Sequence, residues 1–268
     1  MKLNEFFSQH VVFTLEELDV FLAEKDSSNR RTRNALLAYH RQQGHIVSVR
    51  RGLYAVVPPG MSPDTSPIDP YLLAAKMSRD AVLAYHTALE FHGKAYSIYE
   101  QFYYLAERRS LPVNFRSCEF RCVRIPKTLR DKQKEIFGVN RAERAGIDVR
   151  VTSLERTLVD VLDKPDLCGG WEEIWRSLES VEFFDLDKVI EYTLLLGNST
   201  TVSKVGFFLE QHQDALMVEE IHLKPLRELR PSMPHYLDRS NRKKGRLVSD
   251  WNLVIPVAVL ERSWAEVT

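Results

Sequence analysis

Three cysteines in 268 residues, Cys118, Cys122 and Cys168, form an odd set without CxxC spacing or a clear histidine companion. That excludes a disulfide framework and argues for reduced thiols. No apolar run approaches the roughly 18 residues of a membrane span, and the N-terminus lacks the apolar core of a signal peptide. Both absences argue for a cytoplasmic protein with no membrane partner. Neither GxxxxGK nor GxGxxG occurs, so a glycine-rich phosphate cradle of either kind is excluded. Nowhere is an Asp or Glu followed two residues later by Lys, which argues against the common metal-dependent nuclease signature. The absence with most consequence is local: residues 27–63 contain no Asp or Glu at all.

That same stretch carries six arginines, at 30, 31, 33, 41, 50 and 51, in a chain whose 37 basic and 37 acidic residues cancel. Residues 1–26 hold two lysines against six acids, so the arginines are segregated rather than scattered. Segregated charge of one sign faces a polyanion more often than chance composition does. The bland alternative is a solvated basic face on a helical lobe.

The stretch also has a readable shape. Thr14 followed by Glu17 has capping-box spacing, and Leu15, Leu18, Val20, Phe21 and Leu22 give the helix that follows an apolar face. A second helix starts after Ser28 and Asn29 and stops at Gly44. It puts Leu36, Leu37, Tyr39 and His40 on one side and Arg30, Asn34 and Arg41 on the other. Residues 45–49 and 53–57 read as two strands around the turn Arg50-Arg51-Gly52. Helix, helix, hairpin is the order of a winged helix-turn-helix. The second helix is then the recognition helix, with Ser28, Asn29, Arg30, Arg31, Thr32, Arg33, Asn34 and Arg41 offered to phosphates and base edges. Arg50 and Arg51 form the wing.

Four prolines within residues 58–67 mark a linker composition. The expected organisation is a winged helix over 1–60, a proline-rich linker over 61–68 and a larger α/β domain over 69–268 with a modest sheet and several helices. The fold class is therefore α+β. In the larger domain helices are expected over 71–77, 85–91, 154–162, 171–178, 186–196 and 202–211, and strands over 102–106, 115–125 and 147–151. Candidate chemistry there is thin. His86 and His92, six residues apart on one helix, lie on divergent faces and read as structural histidines rather than zinc ligands. Glu155, Asp160 and Asp163 share a helix and are the acids a nuclease would use, but Arg156 and Lys164 stand beside them. Residues 155–191 carry eleven acids against four bases, while residues 224–246 carry eight bases against two acids. The basic run, with Arg239, Arg242, Lys243, Lys244 and Arg246, is a second patch for nucleic acid or an acidic partner, or else a solvated loop. No catalytic residue, metal ligand or cofactor is expected.

Arg51-Gly52-Leu53-Tyr54, then residues 84–93 (AYHTALEFHG), then residues 151–160 (VTSLERTLVD), then Gly169-Gly170 together resemble, in that order, the AbiEi-type antitoxin family of type IV toxin-antitoxin systems. The resemblance implies an N-terminal winged helix that binds inverted repeats in its own promoter and represses a two-gene operon. It also implies a C-terminal domain that counters a nucleotidyltransferase-like toxin without a stable complex, in systems associated with abortive phage infection. The alternative is a winged-helix regulator with a ligand-sensing or oligomerising C-terminal domain and no toxin partner.

Overall fold

The protein is described by a computed structural model over residues 3–25, 29–238 and 245–264. In chain order the first elements are α1 (Asn4–Gln9), β1 (Val12–Thr14), α2 (Leu15–Glu24), α3 (Arg30–Gln42), β2 (Ile46–Arg50) and β3 (Leu53–Val56). There follow α4 (Pro70–Ala75), β4 (Val82–Leu83), α5 (His86–Phe91), β5 (Gln101–Ala106), β6 (Val113–Phe115), β7 (Cys118–Arg124), α6 (Lys127–Asp131), β8 (Val139–Arg144) and β9 (Ile147–Thr152). The rest is α7 (Leu154–Asp163), α8 (Trp171–Glu179), α9 (Leu186–Leu196), α10 (Ser199–Gln211), α11 (Glu220–Glu228), β10 (His235–Tyr236), β11 (Gly245–Val248), β12 (Leu253–Pro256) and α12 (Val257–Leu260). This is an α+β protein.

The chain divides into two compact units that alternate along it. One takes Met1–Leu83, Glu100–Val123 and Arg141–Arg150; the other takes Ala84–Tyr99, Arg124–Asn140 and Val151–Thr268. The proline-rich segment lies inside the first unit. It is held there by Arg116, whose guanidinium donates to the carbonyls of Pro63 and Ser66.

Within the first unit the N-terminal lobe has the winged-helix order, with a sheet β1-β3-β2 that is antiparallel throughout. The capping box forms as its spacing requires: the Glu17 carboxylate accepts from the Thr14 amide at 2.7 Å, and the Thr14 hydroxyl accepts from the Glu17 amide at 3.3 Å. Asn29 caps α3, its side-chain oxygen accepting from the Arg31 amide at 2.8 Å. Gly44, with φ +71°, lets the chain leave α3 and turn into β2. Leu18 and Leu22 of α2, Leu37 of α3 and Ile46 of β2 close on Leu3, Phe6 and Phe13 to make the core. Two residues assigned to apolar faces sit outside it. Val20 is 62% exposed and Tyr39 54% exposed, because the buried stripes of these short helices are one residue wide per turn.

The first unit also contains most of a second sheet, of order β6-β7-β5-β4-β9-β8. Strand β5 is buried from Phe102 to Ala106, which is why it reads as a continuous apolar run. The second unit is dominated by helices. Its α10 is buried from Thr200 to Leu209, and Gly206 is the point of closest approach: a Cβ there would stand 2.2 Å from the Trp251 ring. Trp251 is fixed in turn by donating its indole N–H to Glu210 at 2.7 Å. No helix among the described residues is long and apolar enough to cross a membrane.

Replacing Gly206 with Ala forces the Trp251 ring to move and is expected to destabilise the protein by about 1–3 kcal/mol, the usual range for overpacking. A urea-unfolding midpoint equal to wild type would contradict this packing.

Candidate nucleic-acid interface

The exposed face of α3 begins at Arg30 and Arg31 and continues through Thr32, Asn34, Ala35, Ala38, Arg41 and Gln42. Arg31, Asn34, Ala35, Ala38, Arg41 and Gln42 follow the three- and four-residue spacing of one helical side. Two alanines at the centre of that side leave room for close approach, and longer polar side chains flank them. Ala35, Ala38 and Gln42 escaped the reading of charge alone; their spacing from Arg31 is the signal that finds them. A groove of about 560 Å³ runs beside the C-terminal half of α3, between Ala38, Arg41 and Gln42 on one wall and Val47 and Ser48 on the other.

The six arginines part company here. Arg30, Arg31, Arg41 and Arg51 are exposed, and their side chains make no ion pair or hydrogen bond among the described residues. Arg33 points back: its guanidinium meets the Asp19 carboxylate of α2 at 2.5 Å and also donates to the Asn34 side-chain oxygen at 3.3 Å. It braces α2 against α3 rather than facing outward. Arg50 likewise turns inward, half-buried, with Nη2 donating to the Met77 carbonyl and a buried Nε that has no hydrogen-bond partner. The wing therefore presents Arg51 alone. Its turn is short and secured, since Leu15 donates its amide to the Gly52 carbonyl at 3.0 Å and Gly52 holds φ +85°. Asn29 spends its side-chain oxygen as the cap. Ser28 lies outside the described residues.

Of the second basic patch, Arg239, Arg242, Lys243 and Lys244 also lie outside the described residues. Arg246, on β11, is exposed and sits 3.4 Å from Glu261.

The second unit holds residues 84–93, 151–160 and 169–170 of the signature segments, and much of their polar chemistry is buried. His86 lies between two carboxylates, with Nδ1 3.0 Å from Glu90 and Nε2 3.0 Å from Glu173. Glu173 also accepts from the Ser97 amide and the Ser177 hydroxyl, both at 3.0 Å, and Glu90 accepts from the Tyr99 amide at 2.8 Å. Tyr99 stacks on the imidazole with centroids 4.2 Å apart. Gly169 is required beneath it, because a Cβ at that position would come within 2.2 Å of the Tyr99 hydroxyl. His92 is separate, bonded through Nε2 to the Thr152 carbonyl at 2.8 Å. His86 is fully buried and His92 half-buried.

The three acids of α7 are each engaged. Asp160 is buried, 3.3 Å from Arg156 and accepting from the Tyr192 hydroxyl at 2.7 Å. Burial pushes its carboxyl up from the usual range, and Arg156 and Tyr192 only partly offset that. Asp163 accepts from Asn198 and Thr201, and Glu155 from the Asp185 amide. No group of three His, Cys, Asp or Glu side chains among the described residues is placed to hold a metal ion. Cys168 is buried, and burial raises its thiol well above the ordinary value. That is the state of an unreactive thiol.

The geometry defines an α+β protein with an N-terminal lobe of winged-helix order whose α3 presents a cationic and amide-bearing face. No family model matches the sequence, and no curated protein matches it either. Among solved structures the chain is similar to the crystal structure of RV2827C protein from Mycobacterium tuberculosis, at 19% identity and a TM-score of 0.65. The likeness covers 98% of this chain and 93% of that one, so it extends over the whole α+β architecture.

The Glu173 carboxyl is held below its usual value. Burial alone would raise it, but the bonds from Ser97 and the His86 imidazole outweigh that. A carboxylate with a depressed folded-state pKa stabilises the protein above its unfolded value of 4.5 and loses that contribution as pH falls through the folded value. Glu173→Gln is accordingly expected to cost on the order of 3 kcal/mol at pH 7, the scale for breaking a buried pair. The deficit relative to wild type should shrink as pH falls below 4.5 in thermal melts; a deficit independent of pH would exclude the ionised network.

Proposed function

We propose that this chain is a sequence-specific DNA-binding autorepressor through its N-terminal winged helix, and a non-enzymatic antitoxin of a type IV toxin-antitoxin system through the remainder. The observation that carries the DNA-binding half is the face of α3, where Arg31, Asn34, Arg41 and Gln42 surround two alanines with no carboxylate among them. Guanidinium groups there neutralise phosphate, and the amides suit bidentate contacts to adenine edges in a major groove. The partner is double-stranded DNA from the chain's own promoter, with inverted repeats matching a two-fold arrangement of copies. The antitoxin half rests on the ordered resemblance of residues 51–54, 84–93, 151–160 and 169–170 to the AbiEi-type family. In the second unit residues 84–93 and 151–160 supply buried polar pairs, the pattern of a scaffold rather than of an open catalytic centre. The functional partner is a nucleotidyltransferase-like toxin encoded beside this gene, and the setting is the cytoplasm.

Gel-shift titration on the chain's own upstream region, at two salt concentrations and against an unrelated duplex of equal length, tests the first half. Tight binding that prefers the upstream region is expected. Arg31→Ala combined with Arg41→Ala should weaken it and lower the salt slope by about 1 for each phosphate contact removed. Arg33→Ala should act mainly on stability, through the lost brace to Asp19. Equal weak binding to both duplexes would sink the autorepressor. Co-expression with the neighbouring gene product tests the second half: a toxic neighbour left unrelieved by this chain, or a neighbour of unrelated class, would sink the antitoxin and leave a winged-helix regulator with no toxin to oppose.

A further inference from the structure

A cleft of about 640 Å³ lies wholly within the first unit, beside the wing turn, and its walls include Glu16, Arg50, Gly52, Lys76, Arg79 and Arg150. With Glu17 and Asp148 also on its walls the cleft holds four bases against three acids, and the bases are not equivalent. Lys76 is consumed by the Glu17 carboxylate, and Arg50 donates to the Met77 carbonyl. Arg79 is exposed, and its side chain has no ion pair or hydrogen bond among the described residues. Arg150 is half-buried, and its Nη2 donates to the backbone carbonyl of Arg79, so β9 delivers a second guanidinium to the same place. The carboxylate next to them in sequence, Asp80, is occupied by the Ser78 hydroxyl at 2.8 Å and the Glu107 amide at 2.6 Å. Its nearest role toward Arg150 is electrostatic, and its pKa is lowered by those bonds and by the Arg150 charge against the effect of burial.

The wing borders this cleft through Arg50 and Gly52, and the exposed Arg51 stands between them in the chain. Arg79 and Arg150 thus line the same cleft that the wing turn borders, with Arg51 next to it in the chain. Glu16 and Asp148, both exposed on the cleft, offset part of that charge. A guanidinium-bearing wall of this kind suits discrete contacts to a phosphate backbone, which presents one charge per roughly 3.4 Å of axis on each strand. It offers no base-reading amide, so its contacts position without specifying sequence.

We infer that the DNA-contacting surface continues past the wing: Arg79 and Arg150 hold phosphates of the duplex flanking the segment that α3 reads. This rests on the DNA-binding reading above. It extends the interface to residues 79 and 150, beyond the N-terminal winged helix.

Fluorescence-anisotropy titrations with the full chain on two duplexes from its own upstream region separate the possibilities. One duplex carries the protected core alone; the other adds about one helical turn, roughly 10 base pairs, on each side. Wild type should bind the longer duplex more tightly and with a steeper salt slope. Arg79→Ala should lower the slope on the longer duplex by about 1 and leave the short duplex unchanged. Its side chain makes no ion pair or hydrogen bond among the described residues, so this variant carries the test even if Arg150→Ala fails to fold. Arg150→Lys, which keeps the charge, should retain most of the slope. An unchanged slope for Arg79→Ala on the longer duplex overturns the inference, as does an equal loss on both duplexes. If wild type itself binds neither duplex, the DNA-binding reading falls instead; where it binds, Arg31→Ala with Arg41→Ala should weaken binding to both duplexes alike.

Discussion

The carboxylate of Glu17 is the constraint on which the geometry of the winged helix depends. It closes the capping box that starts α2, and it receives the Lys76 ammonium from the turn after α4. Burial works against its charge, but the Lys76 and Thr14 bonds prevail and its pKa is lowered. One oxygen thus fixes where α2 begins, and the other fixes α2 to the layer beneath it. The wing turn inherits that position, since Leu15, the first residue of α2, donates to the Gly52 carbonyl. Arg50 then completes the attachment at Met77.

Charge in this lobe is divided between structure and surface. Six arginines without a nearby acid look like a uniform positive field, but Arg33 and Arg50 are spent inside the fold. Of the four that remain outward, Arg30 and Arg31 stand together at the start of α3, and the exposed Ala35 and Ala38 lie between them and Arg41. In the second unit the division is more severe. His86, Glu90, Glu173, Arg156 and Asp160 are all buried and paired, so charged side chains that would suggest catalysis in a linear reading serve as internal ties. Replacing such ties by apolar residues is often tolerated energetically, whereas removing one partner is not.

Local signals were legible in the sequence and long-range ones were not. The Thr14 to Glu17 spacing, the Asn29 cap, Gly44 and the turn at Gly52 each act over four residues or fewer, and the elements they delimit stand where they point. The helices α7 to α10 were equally plain from their apolar periodicity. Helix α1 and strand β1 were not, because a six-residue helix without a side-chain cap and a three-residue strand have little pattern of their own. Strand β1 exists through its pairing with β3. The fates of Arg33 and Arg50 were hidden for the same reason, as their partners Asp19 and Met77 lie 14 and 27 residues away. His86 and Glu90 share a helix face at i and i+4, a spacing open to inspection. Glu173, 87 residues on, was not recoverable from spacing. His86 and His92 have separate partners, the first two carboxylates and the second the Thr152 carbonyl.

A wing tied down at Gly52 and Arg50 has little conformational freedom left to lose on meeting a partner. Preorganisation of this kind removes an entropic penalty from association. It also shifts the burden of adjustment. On the DNA-binding reading proposed above, a stiff edge would not follow the local width of a groove, so the duplex would do the bending, and sequences differ in how cheaply they bend. Selectivity would then arise partly at base pairs that no side chain touches.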